Sequence, residues 1–195
     1  MIKYIGAAFT ALLVTGCAHM DSSTGIPLVW KPTTSVAKAG TIDLTGRANA
    51  KLRLEVTDNR NDPGLIGRNT EKLPPRKVTT PDNVAAFVKE HLNQLISGTG
   101  LTEVDSGGTV ILKAEILQFF VEETEIYNGD VRLKVTLIDS SGNPVWTGIT
   151  SGAATRFGRS YSAGNYYETL SDSLIEAVQH LMQNASFRSA LEGAS

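Results

Sequence analysis

Residues 109–139 read TVILKAEILQFFVEETEIYNGDVRLKVTLID, and this stretch decides the fold class. Apolar residues alternate with polar ones along both of its arms, which is the period-2 pattern of half-buried strands. Asn128-Gly129 lies between the arms and is a strong signal for a type I′ turn. The stretch therefore predicts a β-hairpin with arms 109–124 and 130–139. The buried faces of these arms are predicted to be Val110, Leu112, Ala114 and Ile116 on the first, and Val131, Leu133, Val135 and Leu137 on the second.

Further strands are predicted on both sides of this hairpin. Residues 51–57 alternate in the same way, a short strand is expected at 101–104, and residues 144–153 would add a third arm to the hairpin. Residues 58–80 hold three prolines and two glycines and show no sustained periodicity, so they are predicted to form a polar loop. Such a loop is long for a compact domain, which indicates that it is either functional or partly mobile.

Two amphipathic helices complete the domain. The first is expected to begin with Thr80 as its cap and Pro81 in the first helical position, and the second near Asn165, with Glu168 placed for a capping box. A short tail helix is expected at 186–191. The predicted apolar faces are Val84, Phe87, Val88, Leu92, Leu95 and Ile96 on the first helix, and Leu170, Leu174, Val178 and Leu181 on the second. This element order predicts an α+β two-layer sandwich, a mostly antiparallel sheet with two main helices on one face.

The N-terminus predicts export and lipid attachment. Residues 1–17 read MIKYIGAAFTALLVTGC, in which Lys3 is followed by an apolar stretch of the length of a signal-peptide core. The stretch is too short for a transmembrane helix. Its end, Val14-Thr15-Gly16-Cys17, resembles a bacterial lipobox, and Cys17 is the single cysteine of the chain. An ordinary secretory signal with a chance cysteine is the alternative.

These signals divide the chain into three parts. Residues 1–16 are predicted to be a lipoprotein signal peptide, 17–50 a lipidated N-terminus and tether, and 51–192 a single α+β periplasmic domain. Trp30 is expected to dock on the domain, because a free tether seldom carries a tryptophan. Ala18 follows the lipidated residue, and the absence of aspartate there favours the outer membrane in Gram-negative sorting. The chain is thus expected to face the periplasm from a lipid anchor.

Composition excludes several classes of protein. The chain has 195 residues, a formal net charge of −2, one cysteine and three histidines. An internal disulfide framework is therefore impossible, and a cysteine-based zinc site is not expected. The charge balance gives no general electrostatic footprint for nucleic acid. No G-x-S-x-G or phosphate-binding G-x-x-x-x-G-K-[ST] motif occurs, so neither an enzymatic activity nor a cofactor is expected.

Two polar clusters have a chemical interpretation and a structural one. Asp58-Asn59-Arg60-Asn61-Asp62 has partial calcium-loop spacing, but Arg60 takes a ligand position and Asn69 stands where a bidentate glutamate is needed. The favoured interpretation is an Asp58–Arg60 contact that ties the loop to the domain. Glu122, Glu123 and Glu125 can be read as paired carboxylates for acid–base chemistry or as a solvated strand end, and the strand end is favoured. The three histidines lie apart and predict no metal site.

The chain resembles a known family in the features already described. The lipobox, a strand ending in Asp58-Asn59-Arg60, the following Gly67, the helical region 82–100, the meander and the C-terminal helix together resemble the YajG-type bacterial lipoproteins. The resemblance covers roughly residues 45–192. It implies an envelope lipoprotein with no established activity and no catalytic residues to transfer. A more distant likeness is to accessory lipoproteins of envelope transport machines.

A candidate contact surface lies around the start of the last helix. Arg and Tyr are frequent in binding hot spots, and they are concentrated here. The candidates are Arg156, Arg159, Tyr161, Tyr166 and Tyr167. Adjacent helical residues point about 100° apart, so one of the last two tyrosines should face the core and the other a surface or loop. The alternative is that these residues have only a structural role and pack at the junction between helix and sheet.

The function expected from the sequence is that of a non-catalytic, outer-membrane-anchored accessory or scaffold protein of an envelope assembly. Its partners would be the membrane, through the acyl chains, and an unidentified envelope protein or glycan. A module that binds peptidoglycan or another envelope glycan is one alternative. A hydrolase with an unrecognised site is the other.

Overall fold

The computed structural model describes residues 23–34, 51–71, 73–97, 102–104, 106–107, 110–159 and 161–194. The signal peptide and Cys17 lie outside these residues, as does most of the predicted tether. The strands are β1 (Ser23–Gly25), β2 (Lys51–Asp58), β3 (Leu65–Asn69), β4 (Arg76–Thr79), β5 (Thr102–Glu103), β6 (Val110–Glu123), β7 (Ile126–Ile138) and β8 (Pro144–Phe157). The helices are α1 (Val84–Ser97), α2 (Ala163–Gln183) and α3 (Ala185–Gly193).

The fold is α+β, and its sheet is mixed. The predicted three-stranded meander is present as β6, β7 and β8, and these antiparallel ladders contain most of the paired residues of the sheet. The other edge of β6 pairs in parallel with β2 over its first half and with β3 near its end. Beyond them, β5 pairs with β2, and β4 and β1 extend the sheet from β3. The sheet is thus mostly antiparallel, as predicted, but it is mixed. The meander and the β3–β4 pair are antiparallel, and the other pairings are parallel.

The turn predicted at Asn128-Gly129 is wrong. β6 and β7 connect at Thr124 and Glu125, and Gly129 lies inside β7 opposite Val121. A β-carbon at Gly129 would lie 2.5 Å from the Ser173 hydroxyl oxygen of α2. The glycine is required here because the helix packs directly on the strand, and not because the chain turns.

The loop predicted for residues 58–80 is also wrong, since it contains β3 and β4. These strands are only five and four residues long, too short to show a convincing alternation. Gly67 of β3 is closely packed, because a β-carbon there would lie 2.6 Å from the Tyr166 ring. β3 pairs with the nearby β4 and also with the end of β6, more than fifty residues away. Local sequence carries little signal for the pairing with β6.

The start of α1 differs from the sequence prediction, and α2, which begins two residues before Asn165, lacks the predicted capping box. α1 begins at Val84, and Asn83 caps it by accepting a hydrogen bond from the Ala86 N–H (2.9 Å). Thr80 instead extends the strand region, because its N–H donates to the Gly64 carbonyl (2.8 Å). α2 begins at Ala163 without a side-chain cap, and Glu168 forms an ion pair with Lys31 (2.7 Å) in place of a capping box. The tail helix is confirmed as α3.

The core is one cluster of buried residues from the helices and the strands. All eight predicted inward residues of the hairpin are buried, and so are the four predicted on α2. α2 carries Thr169, Ser173 and Ala177 on successive turns over Gly129 and Gly152, which brings helix and strands unusually close. The polar residues that alternate with the buried ones form half-buried ion pairs such as Glu115–Lys134 (2.8 Å).

Candidate functional site

The predicted contact residues lie where several elements meet at one end of the sheet. We call this the α2 end: the end of the sheet where β3, β6 and β8 finish and where β4, β7 and α2 begin. Glu123 of β6 pairs with Asn69 of β3 on one side and with Tyr127 of β7 on the other. Phe157 of β8 pairs with Ile126 of β7. Residues that are far apart in sequence therefore surround the start of α2.

Arg156 is occupied by contacts within the chain. Its guanidinium forms an ion pair with the buried carboxylate of Asp172 and lies 3.6 Å from the carboxylate of Glu168. It also donates to the Thr33 hydroxyl. Arg156 thus connects β8 with α2 and with the N-terminal segment. A partner would have to displace these contacts in order to bind its guanidinium.

Asp172 fixes the N-terminal segment 31–34 to α2. Its carboxylate accepts hydrogen bonds from the Thr33 N–H (2.9 Å), the Thr33 hydroxyl (2.6 Å) and the Thr34 N–H (3.0 Å). The Lys31 N–H donates to the Ser171 hydroxyl (3.0 Å). Charge-assisted bonds of this kind are about twice as strong as neutral ones, so this part of the predicted tether is held on the domain.

Trp30 docks on α1, as the sequence analysis expected. Its ring stacks on the imidazole of His91 with centroids 4.1 Å apart, and it meets the edge of Phe87 at 6.3 Å. The Leu28 N–H donates to the Asp82 carboxylate (2.6 Å), just before this helix. Residues 23–34 therefore contact the sheet edge, α1 and α2 in turn.

We expect the stability of the protein to fall as the pH falls below about 6.5, the ordinary pKa of histidine. Burial holds the pKa of His91 below that value, because desolvation disfavours the charged ring more than Gln94 and Glu90 favour it. The unfolded chain then takes up a proton at His91 that the folded chain does not, so stability is full above the unfolded pKa and declines towards the folded one. His91→Phe keeps the stacking and should flatten this slope in urea titrations followed by tryptophan fluorescence. Parallel pH profiles for the two proteins would contradict the prediction.

Glu123 is fully buried, so the interpretation of residues 122–125 as a solvated strand end is wrong for this residue. One carboxyl oxygen accepts from the Tyr161 N–H (2.8 Å) and the other from the Tyr166 hydroxyl (2.7 Å). Tyr127, which also packs on Tyr166, accepts from the Ser162 N–H (2.8 Å). Burial is the main reason that the pKa of Tyr166 lies far above its usual value, and the nearby carboxyl group of Glu123 raises this pKa further. The cluster fixes the segment that leads into α2.

The two adjacent tyrosines differ in burial, as expected. Tyr166 is fully buried and Tyr167 is half-buried against the core. Tyr161 is also half-buried and has a positive φ of 56°. Arg159 is exposed and lies 2.7 Å from the exposed carboxylate of Glu125. Burial removes Tyr166 from the accessible surface, so the contact prediction now depends on Arg159, Tyr161 and Tyr167.

The Asp58–Arg60 contact predicted for the loop is present. The guanidinium binds the carboxylate through two bonds, Nε to Oδ1 at 2.8 Å and Nη2 to Oδ2 at 2.7 Å. It also donates to the carbonyls of Leu65 (2.8 Å) and Phe119 (3.1 Å). In the part of the chain that the structure describes, no group of three or more His, Cys, Asp or Glu side chains is arranged to hold a metal ion.

Two open clefts accompany these clusters. One of about 320 Å³ lies beside Arg60 at the irregular part of β6, lined by Asn59, Leu117, Phe119 and Phe120 among others. The second, of about 280 Å³, lies beside the Arg156–Asp172 pair. Glu176 in this second cleft accepts from the Ala153 N–H (2.5 Å). Arg60 in the first cleft, and Arg156, Asp172 and Glu176 in the second, thus already serve contacts within the fold.

Sequence reasoning missed Asp172 and Glu123 for different reasons. Period-2 counting from Ile116 places Gln118 and Glu122 inward, but the register shifts by one residue between Ile116 and Gln118. This irregularity turns Phe119, Val121 and Glu123 to the buried face. Asp172 has no comparable local signal, because the groups that bind it come from the distant segment 31–34.

Comparison with known proteins shows a shared fold and no family. No protein-family model matches the chain, and no curated protein matches it. Among solved structures it is similar to protein XCC0632 of Xanthomonas campestris, from the DUF330 family, with a TM-score of 0.54 and 10% identity over 88% of this chain and 96% of that one. A protein of Caulobacter crescentus described as a lipoprotein has a TM-score of 0.44 and 11% identity over 70% and 90% of the two chains.

The similarity to XCC0632 has a TM-score above 0.5, and at 10% identity it shows a shared fold alone. The neighbours include a DUF330 protein and proteins described as lipoproteins, and the YajG-type family is not among the names they bear. Within the described residues, no helix combines the length and apolar character needed to cross a bilayer.

Proposed function

We propose that this protein is a bacterial envelope lipoprotein of the YajG type, anchored in the outer membrane through acyl chains on Cys17 and facing the periplasm. The observation that carries the proposal is the lipobox Val14-Thr15-Gly16-Cys17, which contains the single cysteine of the chain. Three acyl chains exceed the two signals needed for stable anchoring, so the protein would stay on its membrane.

The role we propose is a non-catalytic accessory or scaffold function in an envelope assembly. The charged and polar clusters support it, because Arg156, Asp172 and Glu123 all bind groups of the chain itself. We also propose that the domain is a two-layer sandwich with α1 and α2 on one sheet face. Both helices bury their apolar residues in one cluster with alternate residues of β2, β6 and β7, which supports this arrangement.

Replacing Cys17 by serine is expected to abolish lipidation and maturation. The hydroxyl of serine is a far weaker nucleophile than a thiolate and would not take the diacylglyceryl group. Intact mass spectrometry should then show the unprocessed precursor, whereas Ser22→Ala, outside the lipobox, should mature normally. Normal maturation and membrane attachment of the Cys17→Ser protein would refute the lipoprotein proposal.

Replacing Ala18 by aspartate tests the choice of membrane. In Gram-negative sorting an aspartate after the lipidated cysteine retains a lipoprotein in the inner membrane. We expect the natural protein to fractionate with the outer membrane on a density gradient and the Ala18→Asp protein with the inner membrane. An inner-membrane position for both proteins would refute the outer-membrane assignment and leave the anchor intact.

The accessory role is tested on the natively lipidated protein by mild crosslinking, affinity purification and mass spectrometry. Reproducible recovery of envelope proteins supports a scaffold. Retention on purified peptidoglycan, without recovered proteins, would support a glycan-binding module instead.

A further inference from the structure

The α2 end exposes large apolar side chains. Leu73 is 91% exposed in the connection between β3 and β4, and Phe157 is 87% exposed at the end of β8. Ile126, which pairs with Phe157 across the β7–β8 ladder, is 36% exposed. Leu73 and Phe157 are the most exposed large apolar residues of the described part of the chain, and they lie at the same end of the sheet. Exposed apolar groups gathered in this way mark contact surfaces.

β1, the described strand that follows the proposed anchor, begins at this same end. β1 runs parallel to β4, with Ser23 beside Lys77, so β1 begins on the side of the sheet where β4 begins. β1 is held in place, since Ile26 is buried and its N–H donates to the Thr79 carbonyl (2.8 Å). Six residue steps separate Ser23 from Cys17. A fully extended chain covers about 3.6 Å per residue, so Cys17 lies within about 22 Å of Ser23.

The charges at the α2 end fit a surface of phospholipid headgroups. Arg76 and Lys77 are exposed at the start of β4. Two of the acidic residues here are already in ion pairs, Glu122 with Arg68 (3.0 Å) and Glu125 with Arg159 (2.7 Å). Glu71 is a further acidic residue of this end. Basic side chains beside apolar ones are the usual composition of a surface that rests on a bilayer.

We propose that the α2 end is a membrane-contact surface. Leu73 and Phe157 enter the interfacial region of the phospholipid bilayer that holds the anchor, and Arg76 meets lipid phosphates. The proposal rests on the lipid anchor at Cys17. The anchor confines the domain to the membrane surface, which gives the α2 end a high effective concentration at the bilayer. A contact with the bilayer that is too weak to hold a free protein is therefore populated in the anchored one. The sheet then stands with its β7–β8 turn directed away from the bilayer.

The test uses the full lipidated chain, in which the only natural cysteine carries the lipid. Single Leu73→Cys and Phe157→Cys proteins receive an environment-sensitive fluorophore and are placed in vesicles of phosphatidylethanolamine and phosphatidylglycerol that contain nitroxide-labelled lipid. Ile149→Cys is the matched control, because Ile149 is an apolar residue 65% exposed on the same strand as Phe157. It lies eight residues from Phe157, which is about 26 Å along a strand.

We expect quenching by the nitroxide lipid to be several-fold stronger at positions 73 and 157 than at 149, with the opposite order for a water-soluble quencher. Equal quenching at the three positions would overturn the proposal, as would labels at 73 and 157 that become shielded only in native envelopes, which would indicate a protein partner. Vesicle flotation of each protein is measured in parallel. Failure to float refutes the anchor itself, whereas flotation with water-exposed labels refutes only the contact surface.

Discussion

Replacing Gly152 by valine is expected to lower the free energy of unfolding by about 4 kcal/mol or more, which is enough to unfold many single domains. Gly152 lies in β8 directly beneath α2. A β-carbon at this position would lie 2.2 Å from the Ser173 carbonyl oxygen and 2.3 Å from the Ala177 backbone nitrogen. Both obstacles are helix backbone, so no side-chain rotation relieves them. The helix would have to move away from the sheet and lose its packing along β7 and β8.

Gly164→Ala is the matched control for this experiment. Gly164 lies in the first turn of the same helix, and the nearest atom to an added β-carbon is the Lys31 amine at 3.5 Å, an ordinary contact. Alanine at a compatible helical position stabilises by about 0.5–1 kcal/mol. In urea unfolding followed by circular dichroism, the midpoint should therefore fall for Gly152→Val and rise slightly for Gly164→Ala, relative to the natural protein. Similar urea midpoints for the two variants would show that the backbone of α2 does not pack directly against Gly152.

Replacing Glu123 by alanine is expected to cost about 2–5 kcal/mol, because two donors lose their acceptor and a buried donor left unsatisfied costs about 1–3 kcal/mol. The substitution leaves the buried Tyr166 hydroxyl and the part-buried Tyr161 N–H without their acceptor. It also opens a cavity beneath the segment that leads into α2. Both effects act on the same region, so we expect amide exchange to rise first at the start of α2.

Glu122→Ala is the control for the Glu123 experiment, since it removes the adjacent glutamate from the opposite face of β6. Glu122 lies 3.0 Å from Arg68 in an exposed ion pair, and such pairs contribute about 0–1 kcal/mol. The thermal midpoint should therefore fall strongly for the first variant and little for the second. Equal shifts would mean that Glu123 is not the buried acceptor of this cluster.

The contacts of residues 23–34 give the proposed anchor a defined starting point. The segment pairs with β4, stacks Trp30 on His91 and ends on Asp172, so it spans the sheet edge and both long helices. A lipid anchor attached through a free tether leaves a domain without a preferred orientation. The proposed anchor at Cys17 precedes Ser23 by only six residues, so under this proposal one end of the sheet would stay near the membrane and the orientation of the domain would be measurable.

The sequence alone determined the elements that have strong local periodicity. Alternation along 110–138 placed the inward residues of β6 and β7 up to Ile116 and Leu137, and helical spacing placed Leu170 and Leu174 in the core. These predictions succeed because a strand or helix with one buried face must repeat its apolar residues at its own period. The Asp58–Arg60 pair was also foreseen, since its two members are only two residues apart.

Only the tertiary structure decided the features that depend on distant neighbours. Gly129 carries a local turn signal, yet it is a glycine because Ser173 and Thr169 of α2 pack on it. β3 joins the sheet by pairing with the end of β6, which is distant in sequence. Glu123 is buried because one register shift in β6 turns its side chain to the buried face of the sheet. Asp172 binds residues almost 140 positions earlier in the chain. In each case the energy comes from a contact between segments far apart in sequence, which a local pattern does not encode.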